Sequence, residues 1–133
     1  MRKNRDRWVI SFVFILALCT SLHAQRGQWV YLGDAHVDGS QDHDSIKVGR
    51  SAGAYRAIQL RISGGGINFE RVIVRYGNGE KEEIPIRARI PDGGQTRVID
   101  LPGKRRMIRS LDLWYGKDRW EGRPKVSLYG LSD

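Results

Sequence analysis

The chain has little cysteine and no long apolar segment, and each shortage limits the kind of protein it can form. Its single cysteine among 133 residues is Cys19. Residues 25–133 therefore can form no disulfide, no thiolate metal site and no thiol nucleophile. The apolar run from Trp8 to Cys19 is about half the roughly 20 residues that a membrane-spanning helix needs. No membrane span is predicted.

The amino-terminal segment has the pattern of a secretory signal peptide. Four basic residues near the start precede the apolar run, and Ala24 provides a small residue after it. We predict a signal peptide over residues 1–24 and a single domain over residues 25–133, located in the periplasm or secreted. A lipid anchor on Cys19 is the weaker alternative, because the bulky Leu18 precedes the cysteine.

Basic residues outnumber acidic residues, 23 against 15, and give the chain a formal net charge of +8. An excess of this sign favours anionic partners, although it also serves solubility. The charge therefore favours an anionic component of the cell envelope as the binding partner. Whether the arginines are grouped on one surface decides how strongly the charge supports this prediction.

Apolar residues alternate with polar ones as in half-buried strands, and no long helical pattern is present. This pattern predicts an all-β chain, an antiparallel β-sandwich of about eight short strands. The predicted strands are Gln28–Leu32, Ser45–Val48, Tyr55–Ser63, Ile67–Tyr76, Glu82–Ile90, Thr96–Leu101, Met107–Tyr115 and Lys125–Tyr129.

Local signals add a turn, an edge and a core to this prediction. Asn78-Gly79 is typical of a tight hairpin turn, because both residues tolerate positive φ angles. Pro85 cannot donate a ladder hydrogen bond, so its strand is expected at a sheet edge or with a bulge. Trp29 and Trp114 are expected in the core. The other predicted core residues are Ile58, Leu60, Ile62, Val72, Val74, Ile84, Ile86, Leu111, Leu113, Val126 and Leu128.

Four segments carry a family resemblance: Tyr55–Ser63, the YGNG of Tyr76–Gly79, the RVIDLPG of Arg97–Gly103, and Leu111–Tyr115. Together they resemble a family of small exported bacterial proteins of unknown function. The resemblance covers most of residues 25–133 and implies a single all-β domain that follows a signal peptide. It implies no catalytic residue.

An acidic segment, residues 34–44, carries the first candidate site. Clustered carboxylates suit Ca²⁺, and imidazoles with carboxylates suit Zn²⁺ or another transition metal. The spacing matches no known metal signature, so a solvated polar loop is the competing interpretation. No other cofactor is predicted. The candidate metal ligands are Asp34, His36, Asp38, Asp42 and Asp44.

Arginines at outward strand positions carry the second candidate, an anion-binding site of Arg71, Arg75, Arg87 and Arg89. Their forked guanidinium groups suit phosphate or carboxylate, and residues 104–106 add a basic corner. The alternative is cross-strand pairing with nearby glutamates. Nucleic acid is not favoured as a partner, because it would need exposed aromatics between the basic side chains, and the strand aromatics are expected to be buried.

Trp120, in a charged segment, is the third candidate and would be a platform for stacking on a sugar. Its alternative role is to close the open end of the sandwich. These candidates predict a non-catalytic exported protein that binds an envelope component or a protein partner. The alternative is a metal-dependent carbohydrate-binding module that uses residues 34–44. No enzyme is predicted, because residues 25–133 have no thiol and no nucleophile elbow is expected.

Overall fold

A computed structural model describes residues 27–37, 43–49, 53–120 and 122–133, without the side chains of 116–120. Within these ranges the chain forms ten strands and no helix, so no helix there could cross a membrane. The strands are β1 (Trp29–His36), β2 (His43–Lys47), β3 (Ala54–Tyr55), β4 (Ala57–Ser63), β5 (Ile67–Tyr76), β6 (Lys81–Ile84), β7 (Arg89–Ile90), β8 (Ile99–Asp100), β9 (Arg106–Trp120) and β10 (Lys125–Leu131).

The ten strands form two antiparallel sheets. The four-stranded sheet has the order β1–β10–β4–β8. The six-stranded sheet has the order β2–β9–β5–β6, with β3 beside β9 and β7 beside β5. The long strand β9 pairs with β5 on one side and with β2 on the other, so it lies in the interior of its sheet.

The core lies between the two sheets. Leu60 and Leu128 of the four-stranded sheet share one buried cluster with Val72 and Leu113 of the six-stranded sheet. All eleven aliphatic side chains predicted for the core are at most 6% exposed. The period-two alternation therefore identified the inward face of the strands correctly, and the all-β prediction is confirmed.

The hairpin between β5 and β6 turns at the predicted Asn-Gly pair. The amide of Gly79 donates to the carbonyl of Tyr76 at 3.0 Å, and the amide of Tyr76 donates to the carbonyl of Glu80 at 2.9 Å. Gly79 has a φ of +93°, which favours glycine. Asn78 contributes its side chain, whose oxygen accepts a hydrogen bond from the amide of Glu80 at 3.0 Å.

Several strand bounds differ from the prediction, including the predicted strand Tyr55–Ser63, which is divided into β3 and β4. The predicted strand Glu82–Ile90 is interrupted at Pro85, which leaves β6 at the sheet edge and a separate short β7. The predicted strand Thr96–Leu101 keeps only β8. Strand β1 continues to His36 and β9 continues to Trp120, although polar residues there suggested loops. Pairing with β10 and β5 holds these polar ends in the sheets.

The prediction that Trp29 and Trp114 belong to the core is wrong. Both are half-buried on outer faces of the sheets. Leu113 and Tyr115 are fully buried, so alternation along β9 turns Trp114 outward. There its ring stacks on His43, with ring centroids 4.3 Å apart.

The predicted signal peptide, its cleavage site after Ala24 and Cys19 lie outside the described residues, as do Asp38 and Asp42. The predictions made for them therefore stay predictions.

Candidate anion-binding site

Two of the four predicted anion-binding arginines are paired with acids on the outer face of the six-stranded sheet. The Nε of Arg71 donates to Glu83 at 3.2 Å, and the Nε of Arg75 donates to Asp112 at 2.7 Å. Both contacts join neighbouring strands, β5 with β6 and β5 with β9. Cross-strand pairing, the alternative considered from the sequence, therefore accounts for these two arginines.

The pair between Arg75 and Asp112 is the more buried of the two. The Asp112 side chain is 9% exposed, whereas that of Glu83 is 58% exposed. Burial alone would raise the pKa of Asp112, but hydrogen bonds from Arg75 and Ser45 outweigh it and lower that pKa below its ordinary value. Arg75 thus stabilises a carboxylate that would otherwise be buried without a cation.

Two of the three basic residues at 104–106, Arg105 and Arg106, are also paired with acids. Arg106 donates to Glu80 at 2.6 Å, and its guanidinium carbon lies 3.8 Å from the centroid of the Tyr76 ring. Arg105 forms an ion pair with Asp133. These arginines contribute to the net charge, but acids of the chain already neutralise them.

A cleft of about 420 Å³ lies between residues 85–91 and residues 94–97. Its lining contains three arginines and, within the described part of the chain, no carboxylate. The three arginines are Arg87, Arg89 and Arg97, all exposed to solvent. An anion in this cleft would meet guanidinium groups from both walls.

Both walls of this arginine cleft are fixed by backbone contacts. One wall includes β7, which pairs with β5 so that Arg89 lies opposite Asn68. The other wall lies along β4, where the amide of Thr96 donates to the carbonyl of Leu60 at 2.9 Å. The hydroxyl of Thr96 accepts a hydrogen bond from the amide of Leu60 at 3.0 Å. The arginines therefore extend from walls whose backbone is held in place.

The structure divides the predicted arginine set. Arg87 and Arg89 both line the cleft, whereas Arg71 and Arg75 lie on the outer face of the six-stranded sheet, away from the cleft lining. The sequence analysis missed Arg97, the third arginine of the cleft. A signal was present: the turn that begins at Pro91 returns the chain alongside the preceding segment, and the amide of Gly94 donates to the carbonyl of Pro91 at 2.9 Å.

The outer face of the four-stranded sheet carries an aromatic face, which we define as Trp29, Tyr31, Arg61 and Tyr129. Tyr31 lies opposite Tyr129 in the pairing of β1 with β10, and their rings meet edge to face with centroids 5.7 Å apart. The guanidinium carbon of Arg61 lies 3.9 Å from the centroid of the Tyr129 ring and 5.8 Å from that of Trp29. Tyr31 is 51% exposed.

This aromatic face corrects the expectation that the strand aromatics are buried. The sequence contained the signal, because Val126 and Leu128 point inward and alternation then turns Tyr129 outward. The argument against a nucleic-acid partner based on buried aromatics consequently no longer holds.

A buried glutamine connects the aromatic face with the cleft. The Nε of Arg61 donates to the side-chain oxygen of Gln59 at 3.2 Å. The side-chain nitrogen of Gln59 in turn donates to the carbonyl of Thr96 at 3.0 Å. Gln59 is 5% exposed, so its bond to Thr96 is buried, and its bond with Arg61 is partly buried. Arg61 is therefore held in position relative to the cleft wall.

The predicted metal ligands that the structure describes do not converge. Asp34 accepts a hydrogen bond from the hydroxyl of Tyr31 on the four-stranded sheet, and this bond raises the pKa of Tyr31. Asp44 accepts a hydrogen bond at 2.6 Å from the hydroxyl of Tyr115 on the six-stranded sheet. His36 ends β1 as an exposed side chain.

Across the described ranges, no three His, Cys, Asp or Glu side chains form a group that could hold a metal ion. The metal site also needs Asp38 and Asp42, which lie outside those ranges. The backbone of Trp120 pairs with that of Ile67 at the end of β9. The side chain of Trp120 is not among those that the structure describes. The metal site and the Trp120 platform therefore stay predictions.

These features define a small all-β domain with an arginine-lined cleft and an aromatic face. The chain belongs to the family described as a domain of unknown function, DUF2541, whose model matches residues 10–130. The resemblance to an uncharacterised family is thereby confirmed. None of the curated proteins compared with the chain matches it.

A solved structure from the structural and functional characterization of Pseudomonas aeruginosa AlgX is similar to this chain, with a TM-score of 0.50 and 15% sequence identity. The match covers 78% of this chain, but this chain spans only 27% of the AlgX chain. At this level of identity the likeness shows the fold alone.

Proposed function

We propose that this protein is an exported, non-catalytic binding protein that holds an anionic component of the cell envelope in its arginine cleft. The observation that carries the proposal is the lining of the cleft. Arg87, Arg89 and Arg97 line it, and no carboxylate does so in the described part of the chain. Arg71 and Arg75 pair with acids of the chain itself. A cleft whose lining holds arginines and, among the described residues, no carboxylate favours an anion from outside.

The chemistry of the cleft suits phosphate or carboxylate groups. A guanidinium group can donate two parallel hydrogen bonds to either anion, and such charge-assisted bonds are among the strongest in proteins. Each contributes about 1.5–3 kcal/mol, so removing one arginine should weaken binding roughly ten- to hundredfold. Ile86 and Ile90 also line the cleft and are buried, so part of its wall is apolar.

Binding of small anions to the cleft tests this proposal. Titration with inorganic phosphate and with galacturonate should shift the backbone amide signals of Ala88 and Gln95 in nuclear magnetic resonance spectra. The shifts should be strongly reduced in Arg97→Ala and kept in Arg71→Ala, which loses the same charge from the outer face of the six-stranded sheet, outside the cleft lining. Equal shifts in both variants, or no shift at either amide in the wild type, would overturn the proposal.

Export is part of the proposal and rests on the pattern of residues 1–24. The full chain, expressed in a bacterium with an export pathway, should yield a periplasmic protein whose first residue is Gln25. Recovery of the chain in the cytoplasm with Met1 or Arg2 at its start would contradict export. A lipid-modified Cys19 at the start of the exported protein would show that it is anchored to the membrane rather than free in the periplasm.

The alternative function, a metal-dependent carbohydrate-binding module that uses residues 34–44, depends on an ion. If Asp34, Asp38, Asp42 and Asp44 bind Ca²⁺, millimolar calcium should raise the melting temperature by mass action. A chelator should reverse the rise, and Asp42→Ala should abolish it. Equal melting temperatures in calcium, zinc and chelator would remove this alternative.

A further inference from the structure

The arginine cleft and the aromatic face share one piece of chain. Gln95 and Thr96 line the cleft, and Gln95 also forms an isolated bridge with Arg61 of the aromatic face. The carbonyl of Thr96 accepts a hydrogen bond from the side-chain nitrogen of Gln59, and the side-chain oxygen of Gln59 accepts one from Arg61. The two features are thus adjacent parts of one surface.

This surface is longer than a small anion. From β1, which carries Trp29 and Tyr31, it crosses β10 and β4 before it reaches the segment of Gln95. Three strand spacings of about 4.8 Å give a width of roughly 14 Å before the cleft itself begins. Only an extended ligand could contact both ends of such a surface.

The side chains of the aromatic face, of which Tyr31 is exposed and the other three are half-buried, suit sugar rings that carry an acid. Pyranose rings present flat C–H faces, which stack on aromatic rings such as the half-exposed Tyr31. Arg61 lies over Tyr129 with its Nε engaged by Gln59, which leaves its two terminal nitrogens to form a fork. No carboxylate of the described residues pairs with Arg61, so this fork suits a carboxylate of the ligand.

We propose that the ligand is an acidic polysaccharide chain, which places one acidic group in the arginine cleft and lays its following sugars across Trp29, Tyr31 and Arg61. This inference rests on the proposed function, because it starts from anion binding in the cleft. It adds the class of the ligand and a second part of the binding surface, on the outer face of the four-stranded sheet.

A single-stranded nucleic acid would also stack on aromatic rings, but this face suits it less well. Such a ligand brings a phosphate with every base and needs a continuous cationic track. The aromatic face has Arg61 as the one cation among its four residues, and the carboxylate of Asp34 lies beside Tyr31. Three aromatic rings beside one guanidinium group therefore suit a chain of sugars better than a chain with a phosphate at every unit.

The inference is tested by the dependence of affinity on chain length. Calorimetric titration of the full mature protein with galacturonate, short oligogalacturonides and polygalacturonate should show affinity per bound segment rising by about tenfold or more from the monomer to oligomers that span the surface. Polygalacturonate whose carboxylates are methyl-esterified should bind at least about tenfold more weakly than the free acid.

Variants of the aromatic face supply the second arm. Tyr31→Ala and Trp29→Ala should each weaken oligomer binding by about fivefold or more and leave galacturonate binding unchanged. Tyr31→Phe should keep most of the affinity, because it keeps the ring. Met107→Ala is the matched control, since Met107 is 53% exposed on β9 of the other sheet and should have no effect.

The outcomes separate this inference from the proposed function. If Arg97→Ala weakens oligomer binding but Tyr31→Ala and Trp29→Ala do not, the cleft binds the anion. The inference that the ligand also lies across the aromatic face is then overturned. If galacturonate and the oligomers bind equally well, the inference is likewise overturned. Tighter binding of oligothymidylate than of polygalacturonate at equal ionic strength would overturn the choice of ligand. If no anion binds the cleft at all, both proposals fail.

Discussion

Two groups of arginines in this protein differ in what neutralises them. On the six-stranded sheet, Arg71 and Arg75 are paired with Glu83 and Asp112 at 3.2 and 2.7 Å. In the cleft, Arg87 and Arg97 face a lining without a carboxylate in the described part of the chain. The first group is neutralised by acids of the chain, whereas the second has no acidic partner among the described residues. The position of the acids therefore distinguishes two roles for one residue type.

Both groups of arginines extend from strands and segments that pack on the same core. The largest expected effect on stability therefore comes from a change in that core. Leu60 is fully buried between the sheets, and its strand supports the cleft wall. Leu60→Ala should lower the free energy of unfolding by roughly 2–5 kcal/mol, because it removes buried methyl groups and leaves a cavity. Urea unfolding measures this change, and Met107→Ala should stay within about 0.5 kcal/mol. A loss below that value in Leu60→Ala would show that the two sheets do not share this core.

A middle-sized effect should separate the paired arginines from those of the cleft. Arg75→Ala leaves the largely buried Asp112 without its cation and should cost about 1–2 kcal/mol of stability. Arg97→Ala removes an exposed side chain with no acidic partner among the described residues, so it should change stability by less than about 0.5 kcal/mol. Similar losses in the two variants would remove the distinction between the groups.

The smallest effect is a dependence on pH. The folded protein lowers the pKa of Asp112 below its ordinary value of 3.8, so the ionised group stabilises the fold above that pH. The stability difference between wild type and Asp112→Asn should therefore be constant from neutral pH to about 4 and should shrink as the pH falls through the folded-state pKa. Glu83→Gln breaks the exposed ion pair with Arg71 and should lower the free energy of unfolding little at any pH. A difference that grows towards low pH would contradict this assignment.

Much of the fold could be predicted because its signals are local. Alternation gave the inward faces of β4, β5 and β10, and the turn at Asn78-Gly79 gave the β5–β6 hairpin. Strand ends were less predictable, because the polar residues that end β1 are held by pairing with β10 rather than by their own preference. Neighbouring strands are not visible in a local pattern.

The candidate site was predicted only in part for the same reason. Arg87 and Arg89 could be chosen as outward cations, but their proximity to Arg97 depends on how two segments pack side by side. The pairing of Arg75 with Asp112 joins residues 37 positions apart. Trp29 alternates with its neighbours within a strand, which predicts a core position, whereas its place on the outer face depends on the pairing of β1 with β10.

The central claim is that only the arginines without acidic partners bind the ligand. The most direct test is the calorimetric affinity for polygalacturonate of three proteins with the same expected fold: wild type, Arg97→Ala and Arg71→Ala. Both variants lose one positive charge, so a general effect of net charge is equal in the two. We predict that Arg97→Ala weakens binding by about tenfold or more and that Arg71→Ala stays within about threefold of wild type. Equal weakening in the two variants would contradict the claim.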